Sequence, residues 1–333
     1  MKILCSISTK NRYDVLPMAM QSIVNQTRRP DEFVLYDDND KPIDIRSIPA
    51  CLYLLQMFDA KGIKWHVEVG SKAGQHHNHQ RANLAKGFDA IWRLDDDCVA
   101  EPNVLARLAH QLEGKVGAVG GSIIVPPMPT TWLPDASSSI DRLDKPNEQW
   151  FPIRETHEVD HLHCSFLYRP GIVNYDVRLS KKAHREETMF TYALKLAGYK
   201  ILVTPCITWH LRAMTGGIRS DNDIKDYEHD EWIFQKWLEF KKSGKTLYIL
   251  NGGLGDNYMF LQAIKPKPKS VVATCYPDLF KGMGIEIISI ADAWNITNVE
   301  SHNIYGWCGQ NDWKGHLIDA YKEFYEDINL SRK

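Results

Sequence analysis

The sequence has no closely spaced cysteine pair, no long apolar run and almost no net charge, and each lack narrows what the chain can be. Its seven cysteines (Cys5, Cys51, Cys98, Cys164, Cys206, Cys275, Cys308) stand singly, without a CxxC pair. An odd, dispersed set in a chain of this size fits reduced thiols rather than a disulfide framework. No apolar stretch approaches the roughly 20 residues of a membrane span. The opening MKILCSISTKNR carries neither the apolar core nor the small-residue cleavage site of a secretory leader. The expectation is a cytoplasmic protein with no transmembrane segment. A net charge of −2 leaves no basic-tail signature for nucleic acid or anionic membrane, and no internal repeat is evident.

What is present is the profile of a soluble globular protein: 44% hydrophobic and 25% charged residues over 333 positions, enough for one large domain or two ordinary ones. ILCSIS (3–8) reads as a strand, and the loop TKNRYD leads to a helix capped by Asp14, with Pro17 in its first turn. EFVLYDDND reads as a second strand, IKWHVEV as a third, QRANLAKGF as part of a helix, and AIWRL as the next strand. Strands alternating with helices predict an α/β domain with a mostly parallel sheet. Residues 126–157 are rich in Pro, Ser and polar types, an irregular insertion anchored by Trp132, Trp150 and Phe151. A helix follows near 187–197, closed by Gly198, and KILVTPCITWH is a strand ending on His210. KKSGK (241–245) is the candidate linker. Beyond it TLYIL, SVVATCY and IEIISIA read as strands, and a last helix sets Trp313, Leu317, Tyr321 and Phe324 on one side. The domains expected are thus 1–243 and 244–333.

Two acidic clusters, Asp37–Asp40 and Asp95–Asp97, close predicted strands. In open α/β sheets ligands gather at the carboxyl ends of strands. IWRLDDDCV puts three acids after a run that reads as buried, where unpartnered charge is costly. A solvated turn tolerates such a triplet, and a divalent cation makes use of it.

SISTKNR, DEFVLYDDND, LDDDC, NYDVRL…HREET and LAGYKILVTPCITWH, in that order, resemble family 2 glycosyltransferases of the GT-A fold. The resemblance covers about the first 210 residues and implies a nucleotide-sugar transferase fold with a mixed, mostly parallel sheet flanked by helices. It implies a metal-dependent, inverting hexosyl- or pentosyltransferase using Mn²⁺ or Mg²⁺ and a nucleotide sugar, most often UDP-linked. Asp95 and Asp97 match the outer acids of the family's DxD motif, and Asp96 its middle position, facing metal or ribose. A carboxylate-held cation stabilises charge developing on a leaving diphosphate. His210 matches a histidine that completes metal or diphosphate binding. Thr9, Asn11 and Arg12 match the donor-site loop, and Asp37 and Asp38 the contacts to base and ribose. Arg81 resembles the arginine preceding the metal strand, although its spacing departs from the usual ARN form. Glu186 and Glu187 match the ED pair, with Glu in place of the second Asp. Glu187 is the expected general base with Glu186 in support. Arg212 and Arg219 flank Gly216–Gly217, which reads either as a lid hinge with phosphate-binding arginines or as a solvated loop.

The expected acceptor is the hydroxyl of a glycan. Hydroxylated bases of phage-type modified DNA are an alternative, with the insertion's aromatics stacking on an extruded base. A nucleotidyltransferase is a second alternative, weakened because STKNRYD has no glycine. A non-catalytic nucleotide-sugar binding module is a third. His76, His77 and His79, and His157, His161 and His163, lack cysteines at zinc-finger spacing. Alternation in HLHCSFLY puts His161 and His163 on one strand face, with an acceptor role for His163. LYILNGGLGDNYMFLQAI resembles the opening of a GT-B, heptosyltransferase-like Rossmann domain, whose glycines let backbone N–H groups approach an anion. The match covers only the last 90 residues, which suggests an acceptor-holding or docking module.

Overall fold

A computed structural model describes residues 1–129, 139–140, 147–212, 216–217 and 224–330. Trp132 and Arg219, singled out above, lie outside the described residues. The chain divides into two compact units, one formed by 1–175 and 179–227, the other by 176–178 and 228–333.

The first unit begins with β1 (Ile3–Thr9), α1 (Leu16–Val24), β2 (Glu32–Asp37), α2 (Pro49–Ala60), β3 (Lys64–Val69), α3 (Gln75–Asn83) and β4 (Ala90–Arg93). β1 is almost wholly buried, as its unbroken apolar run demands of a strand covered on both faces. It pairs in parallel with β2 and β4, and β2 pairs in parallel with β3. Pro17 sits in the first turn of α1 as expected, but Val15 is the N-cap and Asp14 makes no cap. β5 (Cys98–Ala100), α4 (Val104–Gln111), β6 (Val116–Ile124), β7 (His157–Glu158), β8 (Phe166–Tyr168), α5 (Glu186–Leu196) and β9 (Lys200–His210) complete the sheet region. Among the described residues this is a nine-stranded sheet in the order β3-β2-β1-β4-β8-β6-β9-β5, with β7 also paired to β9. β8 runs antiparallel between β4 and β6, so the sheet is mixed. One core cluster packs Leu16, Met20, Phe33, Phe58, Trp92 and Leu105, and a second packs Val34, Ile91, Phe166, Tyr168 and Phe190.

α6 (Ile224–Lys242) crosses the division between units. The second unit holds a three-stranded parallel sheet of β10 (Thr246–Leu250), β11 (Ser270–Thr274) and β12 (Glu286–Ile288). Between and after these strands come α7 (Leu254–Ala263), α8 (Ile290–Ile296), α9 (Ile304–Gln310) and α10 (Leu317–Leu330). Tyr248, Phe260, Tyr321, Phe324 and Tyr325 form an aromatic core, with Trp313 and Leu317 packed against it. Among the described residues no helix is long and apolar enough to cross a membrane.

Candidate active site

Strand pairing assembles the site before any side chain is considered. Thr9 lies beside Asp37 at the carboxyl ends of β1 and β2. Asp95–Asp97 form the turn after β4, closed by the Cys98 N–H donating to the Asp95 carbonyl at 3.0 Å. β5 returns antiparallel to β9 with Cys98 opposite His210, which carries His210 to the last acid of the triplet. The Leu211 N–H donates to the Asp97 carbonyl at 2.9 Å. A cavity of about 520 Å³ opens here, lined among others by Thr9, Arg12, Asp95, Asp97, Glu187 and His210.

The acids face different partners. Asp96 is buried, accepting from the Thr9 hydroxyl at 2.8 Å and from Arg12 Nη1 at 3.0 Å. Arg12 Nη1 also lies 3.0 Å from Asp97 Oδ2. Burial, with some help from Asp97, pushes Asp96 up to about 7 against the pull of Arg12. His210 Nε2 stands 3.4 Å from Asp97 Oδ1. Burial alone would lower the His210 pKa, but Cys164 and Asp97 outweigh it and push it up to about 9.

α5 starts at the other wall, with Arg185 in the left-handed conformation at φ 69° and both Glu186 and Glu187 in the first turn, where the helix terminus favours negative charge. Beneath them lies Arg93, fully buried at the end of β4. Its Nη2 is 2.9 Å from Glu186 Oε1, 3.2 Å from Glu187 Oε1 and 3.4 Å from Asp95 Oδ1. Glu186 also accepts from Gln75 Nε2. Three carboxylates share one guanidinium, so the group as a whole carries excess negative charge. Burial raises the Glu186 pKa, with Glu187 adding to the rise and Arg93 opposing it.

Asn11, Asp37, Asp38 and Arg81, also expected in donor binding, do not line the cavity. Asp37 accepts from the Tyr13 hydroxyl and from Asn39 Nδ2, and Asp38 accepts from the Lys72 N–H at 2.6 Å. The Asn11 N–H donates to Asn39 Oδ1 at 2.5 Å. These bonds tie the loop after β2 to the loops after β1 and β3. Arg81 stacks on the Tyr36 ring and pairs with Glu68 and the Val69 carbonyl on an exposed edge. Arg212 lines the cavity. The glycine pair closes the segment after β9 onto the β1 loop. A Cβ at Gly216 would stand 1.9 Å from the Asn11 carbonyl oxygen, and one at Gly217, at φ +78°, 2.7 Å from the Arg12 guanidinium. His161 and His163 touch, with ring centroids 5.1 Å apart, but 161–164 is not strand: β8 begins only at Phe166. His163 and Trp150 line the cavity. Neither histidine group supplies a metal-ligand set among the described residues.

Arg93 is the functional residue the sequence reading passed over. It stands inside AIWRL, where a strand pattern hides a charge. The signal was available, since a cation in a strand buried on both faces requires partners.

Asp97 and His210 bring oxygen and nitrogen donors together beside Asp95, a set that suits a divalent cation.

A family model described as Glycosyl transferase family 2 matches residues 5–174. Among solved structures, GalNAc-T7 with UDP, GalNAc and Mn²⁺ is similar at TM-score 0.53 and 15% identity, covering 73% of this chain and 49% of that one. TarS of S. aureus gives 0.48 at 13% identity, covering 100% of this chain and 54% of that one. TarS 1–349 with UDP gives 0.41 at 14%, covering 63% and 60%. The chain thus spans about half the length of the GalNAc-T7 chain and of the first of these TarS chains. No curated protein matches the sequence.

Proposed function

The chain belongs to glycosyl transferase family 2 and has the GT-A fold, and on that premise we propose that it transfers a sugar from a nucleotide diphosphate donor to an acceptor hydroxyl. The observation that carries this reading is the convergence of Asp97, His210, Arg12 and Glu187 on a single cavity. The donor is UDP-linked in this reading, which the structure of GalNAc-T7 with UDP supports. Its base and ribose lie toward Asp37 and Asp38.

Asp95, Asp97 and His210 would hold Mn²⁺ or Mg²⁺, which when bound supplies Lewis-acid stabilisation of the departing diphosphate. Arg12, tethered to Asp96 and Asp97, and Arg212, which also lines the cavity, meet the diphosphate oxygens. Glu187 takes the acceptor proton. Arg93 at 3.2 Å and the α5 terminus favour its ionised form, while burial raises the pKa of Glu186 beside it. The freed oxygen attacks the anomeric carbon from the face opposite the diphosphate, inverting it. The acceptor is a glycan in this reading, with Trp150 and His163 offering rings for a sugar face. Residues 1–243 form the transferase, and 244–333 serve as an acceptor-holding or docking module.

The test is a panel of nucleotide sugars with Mn²⁺ or Mg²⁺, read as free nucleotide diphosphate. One donor should be hydrolysed slowly without acceptor, and Asp97→Ala should lower that rate by roughly 10³-fold. No binding and no turnover with any donor sinks the reading.

A further inference from the structure

We propose that the amino-terminal edge of the second unit's sheet is a docking surface for a bilayer rich in anionic lipid. The argument begins with where the sequence puts its lysines. Residues 240–270 hold six of them (Lys241, Lys242, Lys245, Lys265, Lys267, Lys269) and a single acid, Asp256. That acid ties back the loop at the carboxyl end of β10, so the length of the strand separates it from the lysines. The near-zero net charge of the whole chain hides this segregation.

Strand register brings the cations together. Thr246 lies opposite Ser270, and Val271 opposite Glu286, with all three strands parallel. Continued outward, that register sets Lys245 beside Lys269 and both in line with Gly284, at strand spacings of about 4.8 Å. The Thr246 N–H donates to the Lys269 carbonyl at 3.2 Å and the Ser270 N–H to the Lys267 carbonyl at 2.8 Å, which pins the lysine segment to the edge. Pro266 and Pro268 fix their own backbone and favour an extended form for the lysine before each, so KPKPK holds its charges apart. α6 and α7 also end on this edge, and the partial negative charge of their carboxyl ends supports cations without acidic partners.

Few acids answer these charges. Lys245 pairs with Glu286, and Lys281 with Asp278. Lys265, Lys267 and Lys269 are exposed and form no ion pair with a described residue. In the adjoining loop stands Met283, 41% exposed, between Gly282 at φ +80° and Gly284 at φ +67°. A Cβ on either glycine would meet nothing within 4 Å, so the methionine rides on a tip that stands clear of the protein. Lysines with an apolar side chain projecting from the same edge suit a bilayer surface. The ammonium groups meet lipid phosphates, and the thioether chain enters the headgroup layer. Residues 241–246, 264–270 and 281–286 hold no aromatic ring on which the bases of a single-stranded nucleic acid would stack. Each lysine near an anionic surface strengthens binding by about fivefold, so three give a reversible attachment.

The test is co-sedimentation of the full chain with vesicles in EDTA, without donor or turnover, so its outcome is separate from that of the donor screen. Vesicles of equal parts phosphatidylglycerol and phosphatidylcholine should carry the protein down at low salt, and phosphatidylcholine alone should not. Raising the salt until screening acts within about 3 Å should release it. Lys265→Gln, Lys267→Gln and Lys269→Gln together should weaken binding by about 100-fold, and Met283→Ser by about threefold. All four side chains are exposed, so urea unfolding of the variants should match wild type. A wild type that stays in solution with the anionic vesicles overturns the proposal, as does binding at full strength by the triple variant. So does release by duplex DNA at equal phosphate concentration, which would make the edge a nucleic-acid surface.

Discussion

The two units pose the same local question and answer it differently. In each, a buried strand ends in a loop rich in acids or glycines. In the second unit the loop satisfies itself. Asp256 accepts from the Gly253 N–H at 2.8 Å and from the Tyr305 hydroxyl, tying back the start of α7. Asn257 donates to the Gly253 carbonyl at 2.9 Å and accepts from the Thr274 hydroxyl at 2.6 Å. The N–H group that backbone binding of an anion needs is taken by the protein's own carboxylate. In the first unit the charges are drawn into the protein and left facing a cavity, with one arginine holding three carboxylates and another holding two. A glycine-rich turn alone does not make a site; charge that the fold leaves in excess at a cavity does.

The largest test of that contrast is Arg93→Met. It leaves Asp95, Glu186 and Glu187 without their shared cation, and removing one partner of a buried ion cluster costs about 3–5 kcal/mol. Urea unfolding should show that loss, and donor hydrolysis should fall by roughly 10²-fold or more. Asp256→Asn, at the matching place in the second unit, should leave hydrolysis within about twofold. Equal losses from the two variants would break the comparison.

Acid sharpens the same contrast. Burial lowers His76 and His161 to about 3, and His79 falls well below its ordinary value, while unfolded histidine titrates near 6.5. Below pH 6.5 the unfolded state binds protons that the folded state refuses, so this stability is present above 6.5 and drains away as pH falls toward 3. The shifted groups described in the second unit, Tyr305, Cys308 and Tyr321, are raised and titrate on the alkaline side. Raised Asp96 and Glu186 oppose this around Arg93, because the folded state takes up their protons first as pH falls. Amide exchange corrected for its intrinsic rate should therefore show α3, which carries His76 and His79, losing protection between pH 7 and 5 before β10 and β11 do.

A smaller effect is expected at the glycine pair. Gly217→Ala puts a methyl against the Arg12 guanidinium and forces an L side chain to φ +78°. Donor KM should rise by about tenfold with kcat changed less, because Arg12 is displaced from Asp96 and Asp97 while Glu187 is untouched.

Much of the frame was legible in the sequence. β1, β2, β4, β9 and β10 are short apolar runs ending in punctuation, and their alternation with helices announces the α/β class. β6 was invisible, although it runs nine residues and is buried throughout. VGAVGGSII carries three glycines, which read as a breaker, yet each is there because a neighbour fills its side-chain space. A Cβ at Gly117 would meet Tyr199, one at Gly120 Gln149, and one at Gly121 the Cys206 sulfur at 2.4 Å. Only tertiary contacts explain such a strand. The same holds for the site. The place of Asp95–Asp97 at a strand end followed from pattern, but that Asp96 turns inward to Thr9 and Arg12 depends on a partner 84 and more residues away. Arg93 joins residues 93 positions apart, beyond any local pattern.

The smallest effect belongs to the second unit. Asn257→Ala removes a fully buried amide that joins α7 to the end of β11 and leaves the Thr274 hydroxyl without its acceptor. A buried hydrogen-bonding group stripped of its partner costs about 1–3 kcal/mol. The loss should therefore be local, seen as faster amide exchange in α7 and β11, and donor hydrolysis should stay within about twofold. The comparison makes that second half the decisive one. If the second unit's loop is a closed structural joint, loosening it changes stability there and nothing in the cavity chemistry. A fall in donor turnover beyond about tenfold would mean that the loop takes part in catalysis, and the contrast between a self-satisfied turn and a charged cavity would have to be withdrawn.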